Sequence, residues 1–178
     1  MKRGKVIFLN GVSSSGKTTL AWKIQDLARE PYYQISQDMF CEMWPGEFWK
    51  LMPEKVFNHT ISLMYSTIRM FVDKGENVVL DHVLLCNEKL KSDNGEATLQ
   101  EFKEIMKGVE VVYVKVECPI EELQRREKLR GDRQVGLAES QIELLNPQHD
   151  YDIVINTYHE STEDSAKRIL KLIYDAPQ

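Results

Sequence analysis

Apolar and polar positions along the chain switch repeatedly between two periods, and that switching predicts a sheet interleaved with helices. Five short stretches read as strands: Lys5 to Leu9, Tyr33 to Ser36, Asn77 to Leu80, Glu110 to Val116 and Tyr151 to Ile155. Three are nearly continuous aliphatic and β-branched runs, as parallel strands covered on both faces should be. Between strands the period lengthens. Leu20, Ile24, Leu27 and Ala28 recur at helical spacing until Pro31, and Phe57, Ile61, Met64, Tyr65, Ile68 and Val72 form one stripe over Pro53 to Asp73, closed by Lys74-Gly75. Ser92-Asp93-Asn94-Gly95 is a turn followed by a helix over Ala97 to Lys107. Pro119, with Glu121 and Glu122 favouring the positive end of the helix dipole, opens a polar helix to about Leu129. Ser161 and Asp164 form a capping pair for a last helix that buries Ala166, Ile169, Leu170 and Ile173. No repeat or linker interrupts this pattern, so residues 1–178 read as one α/β domain.

Composition narrows the class. With 42% apolar residues the chain can bury one real core, and a formal charge of −5 argues against a general nucleic-acid or membrane-surface binder. Small metabolites fit better. Cys41, Cys86 and Cys118 are odd in number with no C-x-x-C spacing, which suits a reducing compartment and neither a disulfide framework nor a zinc site. No apolar run approaches the roughly 18–20 residues of a membrane span, and Met1-Lys2-Arg3 leads straight into a strand. The expectation is a soluble cytoplasmic protein.

Directly after the first strand, Gly11-Val12-Ser13-Ser14-Ser15-Gly16-Lys17-Thr18 completes the G-x-x-x-x-G-K-[ST] pattern, with Thr19 next on the helix that follows. The plainer reading is a Gly/Ser turn; strand before and helix after favour a phosphate cradle. Glycines let successive N–H groups converge on one anion, Lys17 reaches the β and γ phosphates, and Thr18 offers a hydroxyl to Mg²⁺. The helix N-terminus adds its own positive potential.

Other residues at strand ends extend this chemistry. Asp81 follows Val78-Val79-Leu80, where an acid can hold Mg²⁺ directly or through water, or else cap whatever follows. Asp38 follows the second strand, so it emerges at the carboxyl edge beside the phosphate loop. There it is either a base for an attacking hydroxyl or the cap of a short helix beginning at Met39. Arg125, Arg126, Lys128, Arg130 and Arg133 share nine residues with only Glu127 and Asp132 as counter-charges. A solvated face explains Arg125 and Lys128, whereas Arg130 and Arg133, flanking Gly131-Asp132, suit an arginine-bearing lid over residues 125–140 that neutralises transferring phosphate. Phe40, Met43, Trp44, Phe48, Trp49, Leu51 and Met52 cluster without a clean period, as the apolar wall of an acceptor pocket or a cap over the sheet edge. His59, His82, His149 and His159 have no metal spacing, and His82 is expected to be a polar loop residue.

Taken together, the loop Gly11 to Thr18, Asp38, Asp81, Arg-Gly-Asp-Arg at 130–133 with Gly136 and Gln141, and Tyr151-Asp152 leading to Asn156-Thr157 resemble the chloramphenicol phosphotransferase-like family. The resemblance implies a P-loop NTPase fold of the nucleoside-monophosphate-kinase type: three α/β/α layers around five parallel strands ordered 2-3-1-4-5. It also implies transfer of the γ-phosphate of ATP to an alcohol, with Asp38 as base, Lys17 on the phosphates and Arg133 as the lid arginine. Residues 40–60 and 82–96 depart from the family pattern, so the reaction type carries over and the acceptor does not. The acceptor is expected to be a small hydroxylated molecule. Asn156 and Thr157 are candidates for adenine contacts, and the oligomeric state is left open. A nucleoside or nucleotide kinase is the nearest alternative, although an ionised phosphate acceptor needs no base. A nucleotide switch lacks an Asn-Lys-x-Asp guanine reader, and a polynucleotide-end kinase would need the basic cluster for another purpose.

Overall fold

The protein is described from a computed structural model covering residues 3–51, 53–85, 95–131, 136–145 and 150–175. In chain order its elements are β1 (Lys5–Asn10), α1 (Lys17–Leu27), β2 (Tyr32–Ser36), α2 (Gln37–Glu42), α3 (Gly46–Leu51), α4 (Pro53–Asp73), β3 (Asn77–His82), α5 (Gly95–Ile105), β4 (Glu110–Glu117), α6 (Ile120–Arg130), α7 (Leu137–Ile142), β5 (Ile153–Asn156) and α8 (Thr162–Asp175). All strands are parallel and lie in the order β2-β3-β1-β4-β5, as the resemblance implies.

The two-residue period of β1 explains the layers. Ile7 and Leu9 point to one face, where they meet Leu20 and Ile24 of α1 and Ile169 and Ile173 of α8. Val6 and Phe8 point to the other, against Ile61, Met64, Tyr65 and Ile68 of α4 and Phe102 of α5. Phe8 sits edge-on to Phe102 with centroids 4.9 Å apart, and burial of each such side chain contributes about 1.5–3 kcal/mol. Because β1 and β3 are central, both faces are dry and every residue of β3 is buried.

Differences from the sequence reading fall at element ends. β3 runs on through Asp81 and His82, because Leu9 and Asn10 continue the parallel register against them. β5 starts at Ile153 instead of Tyr151; the Asp152 carboxylate instead accepts from the Tyr113 N–H at 2.7 Å, and its own N–H donates to the Tyr113 carbonyl at 2.9 Å. α3 and α7, six residues each, are absent from the sequence reading, since so short a helix displays less than two turns of periodicity, and the short helix considered from Met39 is α2, which begins two residues earlier at Gln37. Among the described residues no helix is long and apolar enough to cross a membrane.

Candidate active site

Parallel strands deliver their carboxyl ends to one edge, and the candidate site is built there from the ends of β1, β2 and β3. The chain leaves β1 at Asn10 and turns through Gly11. A β-carbon at Gly11 would lie 2.4 Å from the Val116 carbonyl oxygen and 2.8 Å from Ser15 Oγ, so only glycine permits this approach. Gly16 has φ +98° and Ser14 φ +61°, left-handed conformations that curl the loop before α1 begins at Lys17. The hydroxyls of Ser13, Ser14 and Ser15 in this loop are buried with no hydrogen-bond partner in the protein.

Lys17 folds back over the loop and is almost wholly buried. Its ammonium donates to the Val12 carbonyl at 3.0 Å and lies 3.6 Å from Asp81 Oδ1. The Thr18 hydroxyl donates to Asp81 Oδ2 at 2.6 Å. One carboxylate therefore spans the lysine and threonine of the motif, so Asp81 is not a helix cap; it is the penultimate residue of β3. A threonine hydroxyl and one carboxylate beside a phosphate cradle are a donor set that suits Mg²⁺, which keeps several waters and takes one or two carboxylates. Among the described residues no group of three or more His, Cys, Asp or Glu side chains is placed to hold a metal ion. Thr19 follows on α1 and is exposed.

Asp38 stands in the first turn of α2, exposed, just beyond Ser36, whose register partner is Asp81. The two acids thus share one edge of the sheet. The cap of α2 is Ser36, whose hydroxyl accepts from the Met39 N–H at 3.2 Å, so Asp38 is not the cap.

His82 is not the loop residue expected of it. It ends β3, fully buried, with Nε2 2.7 Å from the Tyr65 hydroxyl and Nδ1 2.5 Å from Gln37 Oε1. Since Gln37 Oε1 also accepts from the Val83 N–H, Nδ1 carries the proton and Nε2 accepts from Tyr65. Burial, with the Lys17 charge added, pushes its pKa down to about 3 and keeps the ring neutral. This network ties β3 to Gln37, the residue before Asp38. Asn10 braces the edge in parallel, accepting from the Leu84 N–H at 2.8 Å and donating to the Tyr151 hydroxyl at 2.7 Å.

Among the described residues Arg126 is placed against the loop, and sequence reasoning leaves it within the general basic cluster. Its Nη1 donates to the Thr157 hydroxyl at 3.0 Å and the Ser14 carbonyl at 3.4 Å, and Nη2 to the Thr157 carbonyl at 3.2 Å. Glu122 fixes it from one turn earlier at 2.8 Å, and Arg125 and Arg126 together hold the Glu122 carboxyl down at about 2. The i, i+4 Glu122–Arg126 spacing is the available signal; what it does not give is the helix face turned to the loop. Thr157 binds the Ser15 carbonyl at 2.6 Å, while the Asn156 side-chain oxygen accepts from Tyr158 and His159 in its own turn. Arg130 is the exposed last residue of α6. Arg133, Cys86 and His149 lie outside the described residues.

This combination of a five-stranded parallel sheet, a glycine-bounded loop and a lysine–threonine–carboxylate cluster is that of a P-loop kinase fold. The chain belongs to the family described as "Chloramphenicol phosphotransferase-like protein", which matches over residues 4–174. It is 28% identical to the "Putative O-phosphotransferase" of Mycobacterium tuberculosis, covering 95% of this chain and 82% of that one. Among solved structures it is similar to a sugar kinase from Janibacter sp. HTCC2649 (TM-score 0.70, 18% identity, 98% of this chain and 96% of that). The M. tuberculosis APS kinase in complex with AMPPNP and APS gives TM-score 0.69 at 14% identity over 98% and 99% of the chains. The shikimate kinase from Acinetobacter baumannii in complex with shikimate gives 0.66 at 20% identity over 98% and 95%. These likenesses show the fold, and with the family membership they support a small-molecule kinase.

Proposed function

We propose that the protein is an ATP- and Mg²⁺-dependent kinase that transfers the γ-phosphate to a hydroxyl of a small molecule in the cytoplasm, as one catalytic domain. The observation that carries this reading is the Lys17–Asp81–Thr18 cluster at the mouth of a loop whose serine hydroxyls are buried without partners, with Asp38 on the same edge. The main-chain N–H groups of residues 13–19 hold the phosphates, and Lys17 moves from Val12 and Asp81 onto the β- and γ-oxygens. Thr18 and Asp81, the latter directly or through water, would hold Mg²⁺, which would supply charge neutralisation. Asp38 accepts the proton of the acceptor hydroxyl and orients its lone pair in line with the phosphorus. Arg130 and Arg133 clamp the equatorial oxygens and exclude water. Phe40, Met43, Trp44 and Phe48, on α2, α3 and the turn between them, line the acceptor side.

The test is ATP consumption by pure protein against panels of antibiotics, sugars, nucleosides and amino alcohols, with Asp38→Asn alongside. A product phosphorylated on oxygen and absent with the variant is the expected result. Rapid ATP hydrolysis with no acceptor, equal in both proteins, would contradict transfer.

A further inference from the structure

Gln37 is the first residue of α2, and its side-chain oxygen is held by two donors at and just past the end of β3. His82 Nδ1–H donates to it at 2.5 Å and the Val83 N–H at 3.3 Å. Behind the ring, the Tyr65 hydroxyl of α4 donates to His82 Nε2 at 2.7 Å, so a chain of three side chains runs from the helical layer to the sheet edge. Both imidazole nitrogens are used.

His82 is 2% exposed and lies among aromatic rings, its centroid 5.6 Å from Phe8 and 5.7 Å from Tyr65. An apolar side chain would serve packing there with no polar atoms to desolvate, whereas an imidazole needs a partner for each nitrogen. What the imidazole adds is direction. α2 has no fully buried residue, and its Phe40 packs against the core through non-directional contact, which holds the helix close without fixing its rotation. Two hydrogen bonds converging on one oxygen fix where the first turn begins. Asp38 is the next residue of that turn, and Ser36, on the other side of Gln37, is in register with Asp81. The link therefore sets the place of Asp38 relative to the carboxylate that spans Lys17 and Thr18.

We propose that Gln37 and His82 are positioning residues for Asp38: the Tyr65–His82–Gln37 chain braces the first turn of α2 against β3, and so fixes the acceptor side of the site relative to the phosphate side. Both act through Asp38, and neither takes part in the transfer. This inference rests on the proposed role of Asp38 as base.

The experiment measures the slow release of labelled phosphate from ATP and Mg²⁺ by the full chain, with water as the acceptor. The proteins compared are the unaltered one, Gln37→Ala, Asp38→Asn, the double variant of these two, His82→Asn and His82→Leu, with AMPPNP affinity followed by calorimetry. Gln37 is only half-buried, so its truncation leaves the core intact. Gln37→Ala should slow release by roughly tenfold at unchanged AMPPNP affinity, because a small misplacement of a reacting group is costly while the cradle is untouched. Adding Gln37→Ala to Asp38→Asn should cost nothing further, since no base is left to place. His82→Asn, whose amide can donate to Gln37 as Nδ1–H does, should release phosphate faster than His82→Leu. Full activity in Gln37→Ala, an equal loss with and without Asp38, a matching loss of AMPPNP affinity, or His82→Leu as active as His82→Asn would each overturn the proposal. Undiminished release by Asp38→Asn would instead overturn Asp38 as the base.

Discussion

The two sides of the candidate site are made differently. On the phosphate side, Lys17 and Asp81 are buried, Ser15 is fully so, and the loop is fixed by main-chain curvature and by Arg126, Thr157 and Gln141. On the proposed acceptor side, α2, α3 and the turn between them carry Met39, Met43, Phe48 and Leu51 with 44–75% of each exposed. A triphosphate is the same whatever the acceptor, so its cradle can be preformed and rigid. Exposed methionines and aromatics on short helices suit a surface that repacks around a particular acceptor. The contrast predicts that substitutions on the phosphate side disturb folding and reaction together, while those on the acceptor side change which molecule is used.

The largest effect is expected at the junction of the two sides. Asp38→Asn should lower transfer by roughly a hundredfold to ten-thousandfold, the usual contribution of a positioned base. Affinity for AMPPNP, measured by titration, should stay the same because Asp38 does not belong to the cradle. Next comes Gly11→Ala, whose methyl would meet the Val116 carbonyl at 2.4 Å. A loss of about 1–3 kcal/mol is expected by denaturant unfolding, with nucleotide binding impaired as well.

A smaller effect concerns pH. His82 in the folded protein has a pKa of about 3 against an ordinary 6.5. The unfolded chain therefore binds a proton that the folded one refuses, and stability is complete above 6.5 and declines as pH falls toward 3. From pH 6.5 to 5, where the Glu122 carboxyl of the unfolded chain, at its ordinary 4.5, has only begun to take up a proton, the expected decline is about 1–2 kcal/mol. His82→Gln should flatten that slope in urea titrations at several pH values. The smallest effect is at Leu51, 75% exposed: Leu51→Ser should shift stability by no more than about 0.5 kcal/mol, yet alter KM for the acceptor. A melting temperature that falls as far as for Gly11→Ala would remove the distinction between the two sides.

Much of the fold and of the phosphate side is legible in the order of amino acids alone. β1, its loop and α1 announce themselves because local period, turn chemistry and motif agree, and α4 does so through six apolar residues on one stripe. The placement of Asp38 and Asp81 on one edge follows from a rule of parallel sheets, that residues at and just past the carboxyl ends of strands meet there. The features that escape a linear reading depend on contacts distant in sequence. Whether Arg126 or Arg125 faces the loop depends on how α6 is rotated; His82 is buried because β1 and Tyr65 cover it; and Gln141 reaches Ser13 across 128 positions. No local pattern records those placements, and helices as short as α3 and α7 have too few turns to show one.

The most direct measurement follows backbone amide resonances by NMR while AMPPNP and Mg²⁺ are titrated into the protein. Saturable shifts centred on Ser13 to Thr19, abolished by Lys17→Ala, are expected if the loop holds the terminal phosphates. Binding that leaves those amides unmoved, or no binding at all, would contradict it.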